Sequence, residues 1–324
     1  MAAHARRTAI ARLAEAINSG GGGKFSHLVQ LRKGEGRPLF IVHGIFGEVL
    51  QLKGLADRLA TERAVFGIQA QGVDPWLEPH ASLAEMADAY VAAVREAQPH
   101  GPYALAGYSF GGLVAFEMAR RLRSGGEQVE LLALLDTVLW ERFLPPADKL
   151  AHYLELASRA VRRSRALPVK VVGPSLAGKL RQYGHRMLLR LGVRDDFVAI
   201  ENPKGPMAER RRRMRRIGAH AFRAFRPARY DGRLSLFNIR GPRYDGCDPI
   251  PIWRRAVRAI ELFPIDGEHD RIMEKPYVST LATQLSGCLA ALERGRDDGA
   301  QPRSQPSSAA NGRRAGDRGL VHGR

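Results

Sequence analysis

The order of apolar segments predicts an α/β fold: a mostly parallel sheet with an antiparallel first strand, helices on both faces and an inserted helical lid. Three observations carry this expectation. Seven short β-branched or aliphatic runs alternate with helical stretches through the middle of the chain, and a strand, helix, strand rhythm builds a parallel sheet covered on both sides. The 324 residues are 44% hydrophobic, enough for one large core and too little for a membrane bundle. Two cysteines, Cys247 and Cys288, exclude a disulfide framework and a thiolate metal cluster, so a reducing compartment is the default.

The runs are His27 to Leu31, Leu39 to His43, Ala64 to Gln69, Tyr103 to Ala106, Leu131 to Leu135, Leu234 to Ile239 and Ala259 to Pro264. Residues 32–38, which contain KGEG, join the first two and should turn them into a hairpin, making one strand antiparallel to the rest. Between the third and fourth runs, Leu83, Met86, Ala87, Tyr90, Val91 and Val94 fall on one helical stripe, with Ser82 as N-cap and Glu85 as its capping-box partner. The periodic stretch from Gly112 to Arg123 stops at Ser124-Gly125-Gly126, a helix C-terminal signal.

After Leu135 the alternation breaks. Residues 138–207 are helical in pattern, interrupted by Pro145-Pro146, Pro168, Pro174, Pro203 and Pro206, and read as a lid inserted into a domain spanning residues 25–293. Residues 1–24, ending in the linker Gly20 to Gly23, read as a flexible extension; Arg6, Arg7 and Arg12 among alanines suit a frayed amphipathic helix better than an organelle presequence. Residues 294–324 lack apolar periodicity and read as a disordered tail. The absence of an apolar run of about 18 residues, or of a signal-peptide stretch, predicts a soluble cytoplasmic protein with no membrane span.

The net charge of +18 is local. Residues 141–230 hold 22 Lys+Arg against 7 Asp+Glu, whereas the rest of the chain holds 29 against 26. Its densest part is Arg210-Arg211-Arg212-Arg213-Met214-Arg215-Arg216. Met214, Ile217, Ala221 and Phe225 recur near helical spacing, so these arginines clothe the wet face of a helix or attract an acidic partner. Only 8 of the 51 basic residues are Lys, an arginine bias that coding composition alone can produce.

Gly107-Tyr108-Ser109-Phe110-Gly111 is a G-x-S-x-G sequence with a strand (YALA) running into it and an amphipathic helix (GGLVAFEMARRL) running out. This is the setting of a nucleophile elbow, in which a side chain on either glycine would strike the neighbouring strand or helix. A serine hydroxyl needs a base to take its proton. His269, in the loop IDGEHDRIM after the last strand, is where the sheet would deliver one. His152, His185 and His220 sit in or beside the basic segment, His4 and His322 in the tails, and His80 and His100 in connecting loops; each fits a surface role better. The acid orienting His269 is either Asp136, at the end of the fifth strand, or Asp245 or Asp248, after the sixth. Asp136 is preferred because a carboxylate ending an apolar strand needs a partner such as an imidazole. An oxyanion hole needs two N–H donors: Phe110, directly after the nucleophile, and Ile45, in the loop His43-Gly44-Ile45-Phe46-Gly47. His43 suits bracing that loop rather than acting as a base.

Taken together, FIVHGIFG, VFGIQAQGVD, GPYALAGYSFGG, LLALLDT, RYDGRLSLF and ELFPIDGEHDRIMEKPYV resemble the type I thioesterase domains of nonribosomal peptide and polyketide synthases, relatives of the fatty acid synthase thioesterase. The resemblance spans about residues 28–290, is densest from Leu39 to Thr137 and fades in the lid. It implies an α/β-hydrolase fold with a helical lid, a triad of Ser109, Asp136 and His269, oxyanion donors at Ile45 and Phe110, and no cofactor or metal. It also implies a substrate: an acyl chain on the phosphopantetheine arm of a carrier protein or on CoA, moved to serine and released. The chain begins at Met1 and has no carrier-protein serine motif ahead of the domain, so a free-standing enzyme or a fragment is expected. Carrier proteins of this kind are acidic, which makes Arg212 and Arg216 candidates for steering one in. A carboxylesterase or acyltransferase on the same scaffold, and a basic binder of nucleic acid or an anionic surface, are the alternatives; the intact elbow argues against the last.

Overall fold

A computed structural model describes residues 25–165, 206–240 and 247–300, apart from positions 75, 138 and 140. Within these, seven strands form one sheet: β1 (Leu28–Arg32), β2 (Leu39–Val42), β3 (Val65–Ile68), β4 (Tyr103–Tyr108), β5 (Val129–Leu135), β6 (Tyr230–Ile239) and β7 (Val257–Ile265). Their spatial order is β1-β3-β2-β4-β5-β6-β7, and every pair is parallel except β1 with β3. The helices are α1 (Lys53–Ala56), α2 (Leu83–Ala97), α3 (Phe110–Ser124), α4 (Pro146–Arg165), α5 (Pro206–Ala224), α6 (Ile250–Ala256) and α7 (Tyr277–Ala300).

All seven expected strands are present, but the hairpin is not. β1 is antiparallel, yet it pairs with β3, which separates it from β2. The loop between β1 and β2 instead crosses the start of β3: Glu35 N–H donates to the Glu62 carbonyl at 2.7 Å, and Arg32 donates to the carbonyls of Leu59 and Thr61. The strand compositions carry the reason. LFIV in β2 is buried at all four positions, as a strand with neighbours on both edges requires, whereas LVQLR in β1 mixes polar and apolar residues as an edge strand does.

Alternate residues of the strands feed two apolar layers. Phe40, Val42, Leu105, Leu132, Leu134 and Leu236 face α2, α3 and α6, with Ala221 of α5 and Phe225 just past its end added. Leu39, Ile41, Ala104, Ala106, Ala133 and Leu135 face α1 and α7. Helix α2 starts as expected: Ser82 Oγ accepts from Glu85 N–H at 3.1 Å, and the Glu85 carboxylate reaches back to Ala81 N–H at 2.9 Å, one residue short of a reciprocal box. Helix α3 stops at Ser124, followed by Gly126 at φ +83°.

Two boundaries differ from expectation. Helix α5 begins at Pro206, where proline's fixed φ suits a first turn, and runs unbroken past the expected lid limit at residue 207 to Ala224. Helix α7 continues to Ala300, beyond residue 294, where the sequence suggests the tail begins. Residues 1–24, 166–205, 241–246 and 301–324 are outside the described residues, and with them fall the expectations for His4, His185, His322 and Asp245. No described helix is long and apolar enough to cross a membrane.

Candidate active site

The parallel strands bring their C-terminal ends to one edge of the sheet, and the expected residues converge there. Strand β4 ends at Tyr108; Ser109 then turns at φ 54°, ψ −119°, and α3 starts at Phe110. A side chain is tolerated at such a positive φ only when its surroundings hold it. Here Ser109 N–H is tied to the Leu135 carbonyl at 2.9 Å. The glycines of the motif are needed for close approach. A Cβ on Gly111 would stand 2.0 Å from the His43 carbonyl oxygen, and one on Gly107 would stand 2.2 Å from that of Gly111. Strand β2 and helix α3 thus touch the elbow from both sides.

Asp136 follows β5 at φ 50°, its N–H donating to the Phe237 carbonyl at 2.8 Å. Only 1% exposed, the carboxylate accepts from Ile239 N–H at 3.3 Å through Oδ1 and from His269 Nδ1 at 2.6 Å through Oδ2. A buried carboxylate needs such donors. On the far side of the ring, His269 Nε2 lies 2.8 Å from Ser109 Oγ. With Nδ1–H given to Asp136, Nε2 is left to accept the serine proton. His269 sits in a turn, His269–Arg271, after β7, and its side chain keeps 35% of its exposure, so the ring bridges the interior and solvent. Asp248, the competing acid, is exposed and accepts from Ile250 N–H at 3.0 Å at the start of α6.

Strands β2 and β4 pair in register at Val42 and Gly107, so Ile45 and Phe110 each stand three residues beyond a matched pair on neighbouring strands. Among the described residues no hydrogen bond takes up either N–H. The loop before Ile45 is braced from within. His43 is fully buried; its Nδ1–H donates to the Gly44 carbonyl at 2.5 Å and its Nε2 accepts from Tyr90 O–H at 2.7 Å. Burial pushes the His43 imidazolium down to about 4, which fixes the ring as neutral and assigns those two roles. The rings of His27 and His80 close the same cluster around Tyr90, and burial lowers both of these histidines too.

Helix α5 packs on this loop. Met214, Ala221 and Phe225 are buried and Ile217 partly so, as the helical spacing requires. A Cβ on Gly218 would stand 2.9 Å from Ile45, and the guanidinium groups of Arg211 and Arg215 lie 5.9 and 5.1 Å from the ring centre of Phe46. Arg211 pairs with Glu48 at 3.3 Å and Arg213 with Glu78, tying the helix to the loops after β2 and β3. Arg212 and Arg216 pair with Glu209 of their own helix at 3.3 and 3.4 Å. Part of the basic run therefore has intramolecular partners.

Sequence reasoning missed two tyrosines. Tyr90 reads as one more apolar member of a helical stripe, and Tyr108 as a variable position within the motif. Both hydroxyls are committed: Tyr90 to His43, and Tyr108 to the His269 carbonyl at 2.8 Å. A buried phenol needs a partner, which is the signal that singles such residues out.

Ser109, His269 and Asp136 stand in hydrogen-bonded sequence at the strand ends of a sheet with the α/β-hydrolase fold. The thioesterase-domain family model matches residues 37–164. The nonribosomal peptide synthetase btyA of Aspergillus terreus is 31% identical over 282 residues, 84% of this chain but 30% of its own length. Indigoidine synthase of Dickeya dadantii is 49% identical over 111 residues, 34% of this chain and 8% of its own. Among solved structures, the NocB thioesterase domain in covalent complex with a fluorophosphonate nocardicin G analog is 25% identical, with a TM-score of 0.56, covering 82% of this chain and 99% of that one. A four-domain nonribosomal peptide synthetase bound to AMP and glycine matches with a TM-score of 0.60 at 24% identity, over 85% of this chain and 21% of its own. The chain is thus similar to the thioesterase domains of nonribosomal peptide synthetases, and it spans under a third of the length of the curated relatives it matches.

Proposed function

We propose that the chain is a serine thioesterase that takes an acyl, peptidyl or polyketide chain from a phosphopantetheine thioester, on a carrier protein or on CoA, and releases it by hydrolysis. The observation that carries this reading is the 2.8 Å hydrogen bond between Ser109 Oγ and His269 Nε2, across 160 residues of sequence. The thioesterase-domain match over residues 37–164 supports thioester chemistry, and the covalent fluorophosphonate complex of the similar NocB domain supports a nucleophile in a site of this kind.

In this mechanism Ser109 Oγ attacks the thioester carbonyl carbon as its proton passes to His269 Nε2. Asp136 holds the imidazole tautomer and offsets the charge of the imidazolium, without itself taking a proton. The electron pair displaced onto the carbonyl oxygen is met by the N–H groups of Ile45 and Phe110, each such donor being worth about 10²–10³ in rate. As the C–S bond breaks, His269 returns its proton to the departing thiolate, leaving an ester on Ser109. Water then attacks that ester, giving a proton to Nε2, and the proton returns to Oγ as the free acid departs. No step calls for a cofactor.

The test is to present one acyl group as a carrier-protein thioester, as a CoA thioester and as an oxygen ester, and to identify the product by mass spectrometry. Faster turnover of the thioesters, with the free acid as product, is expected. Preference for the oxygen ester would make the chain a carboxylesterase, and capture of the acyl group by an added alcohol or amine in place of water would make it an acyltransferase.

A further inference from the structure

We propose that Tyr108 is a positioning residue that fastens His269 to the nucleophile elbow, so that adjacent residues at one strand end set both the base and the nucleophile. The inference rests on the reading of Ser109 and His269 above. The loop that brings His269 into the site follows β7, a strand largely exposed along its length, and its internal hydrogen bonds are local: Arg271 N–H to the Glu268 carbonyl and Glu274 N–H to that of Arg271. Local turns fix the loop's shape and leave its placement over the sheet to longer-range contacts.

Tyr108 supplies two such contacts. Its O–H donates to the backbone carbonyl of His269 itself, 161 residues away in sequence, and its ring stacks on the imidazole with centroids 5.7 Å apart at 24°. Gly44 lies close to the same ring, since a Cβ there would stand 3.1 Å from Tyr108 Cδ1. The phenol thus touches the loop carrying His269 and lies close to the loop carrying Ile45. Burial, with Asp270, Asp136 and Glu274 nearby, raises the Tyr108 pKa and keeps the hydroxyl a donor. Asp136 alone would leave the imidazole free to swing about its Nδ1 bond; contact with the ring face and the backbone removes that freedom, and a misplaced base loses rate steeply.

The deciding variant is Tyr108→Phe, which keeps the ring and its packing and removes the hydroxyl. The measurements are the rate of Ser109 labelling by a fluorophosphonate probe, kcat and KM for an acyl-pantetheine thioester, and the low-field proton resonance of the His269–Asp136 hydrogen bond, with thermal unfolding as the control for folding. Labelling and kcat should fall together by about fivefold to thirtyfold, KM should stay within about twofold, and the low-field resonance should broaden while the melting transition stays cooperative. Labelling and kcat within about twofold of the parent chain would overturn the proposal, as would a loss confined to KM or to melting temperature. Failure of the parent chain to label at all would overturn the nucleophile assignment beneath it, a result distinct from equal labelling of the two proteins.

Discussion

Acid should destabilise this fold through one histidine that catalysis does not use. His43 is wholly buried, and its neutral ring spends both nitrogens on Gly44 and Tyr90. Its imidazolium is pushed from the ordinary 6.5 down to about 4. The native state therefore binds this proton more weakly than the unfolded chain does. The stabilisation is complete above about pH 6.5 and is lost as pH falls toward about 4, at up to ~1.4 kcal/mol per pH unit and roughly 3 kcal/mol in all. His27 and His80, which face the same cluster and are also lowered by burial, act with the same sign. Urea unfolding of the parent chain and of His43→Gln at about pH 7.5 and about pH 4.5 isolates His43 together with its coupling to His27 and His80, because the difference between the two proteins cancels what they otherwise share. The parent chain should lose roughly 2–3 kcal/mol more than the glutamine variant over that interval. Identical losses would refute the neutral buried imidazole and its assignment as the brace of the Ile45 loop.

Asp136→Asn should cut kcat on a synthetic thioester by about 10⁴ while the chain remains folded, since an amide cannot enforce the required imidazole tautomer; activity within about tenfold of the parent would contradict the role of Asp136. Gly111→Ala forces a methyl against the His43 carbonyl at 2.0 Å and should cost about 1–3 kcal/mol or more in denaturant unfolding, whereas Gly126→Ala, with open space around it, should show the strain of its positive φ alone. Reversing charge at Arg212 and Arg216 should slow turnover of an acyl-carrier protein more at low salt than at high salt and leave an acyl-pantetheine thioester unaffected; an equal effect on both donors would remove any steering role.

The strands and the placement of Ser109, Asp136 and His269 at one sheet edge were legible because each rests on a local pattern. Apolar runs such as LFIV and YALA mark strands wherever they occur, and the glycines around Ser109 state the geometry that the turn requires. Asp136 was legible as a carboxylate ending an apolar strand. What escaped the sequence depends on distant pairing. β1 pairs with β3 rather than β2 because the fully apolar β2 takes an interior place in the sheet, a choice that becomes visible only when the two strands are compared. The hydroxyl partners of Tyr90 and Tyr108 lie 47 and 161 residues away, and the Glu48 and Glu78 partners of the α5 arginines lie 163 and 135 residues away, beyond the reach of any spacing rule.

Ser109 is tested most directly as the nucleophile by incubating the chain with an acyl-pantetheine thioester, quenching within the first turnovers and locating the covalent mass by peptide mapping. An acyl ester is expected on Ser109 and should disappear in Ser109→Ala, together with loss of turnover in a chain that still unfolds cooperatively. An adduct on another residue, or undiminished turnover in the alanine variant, would contradict that assignment.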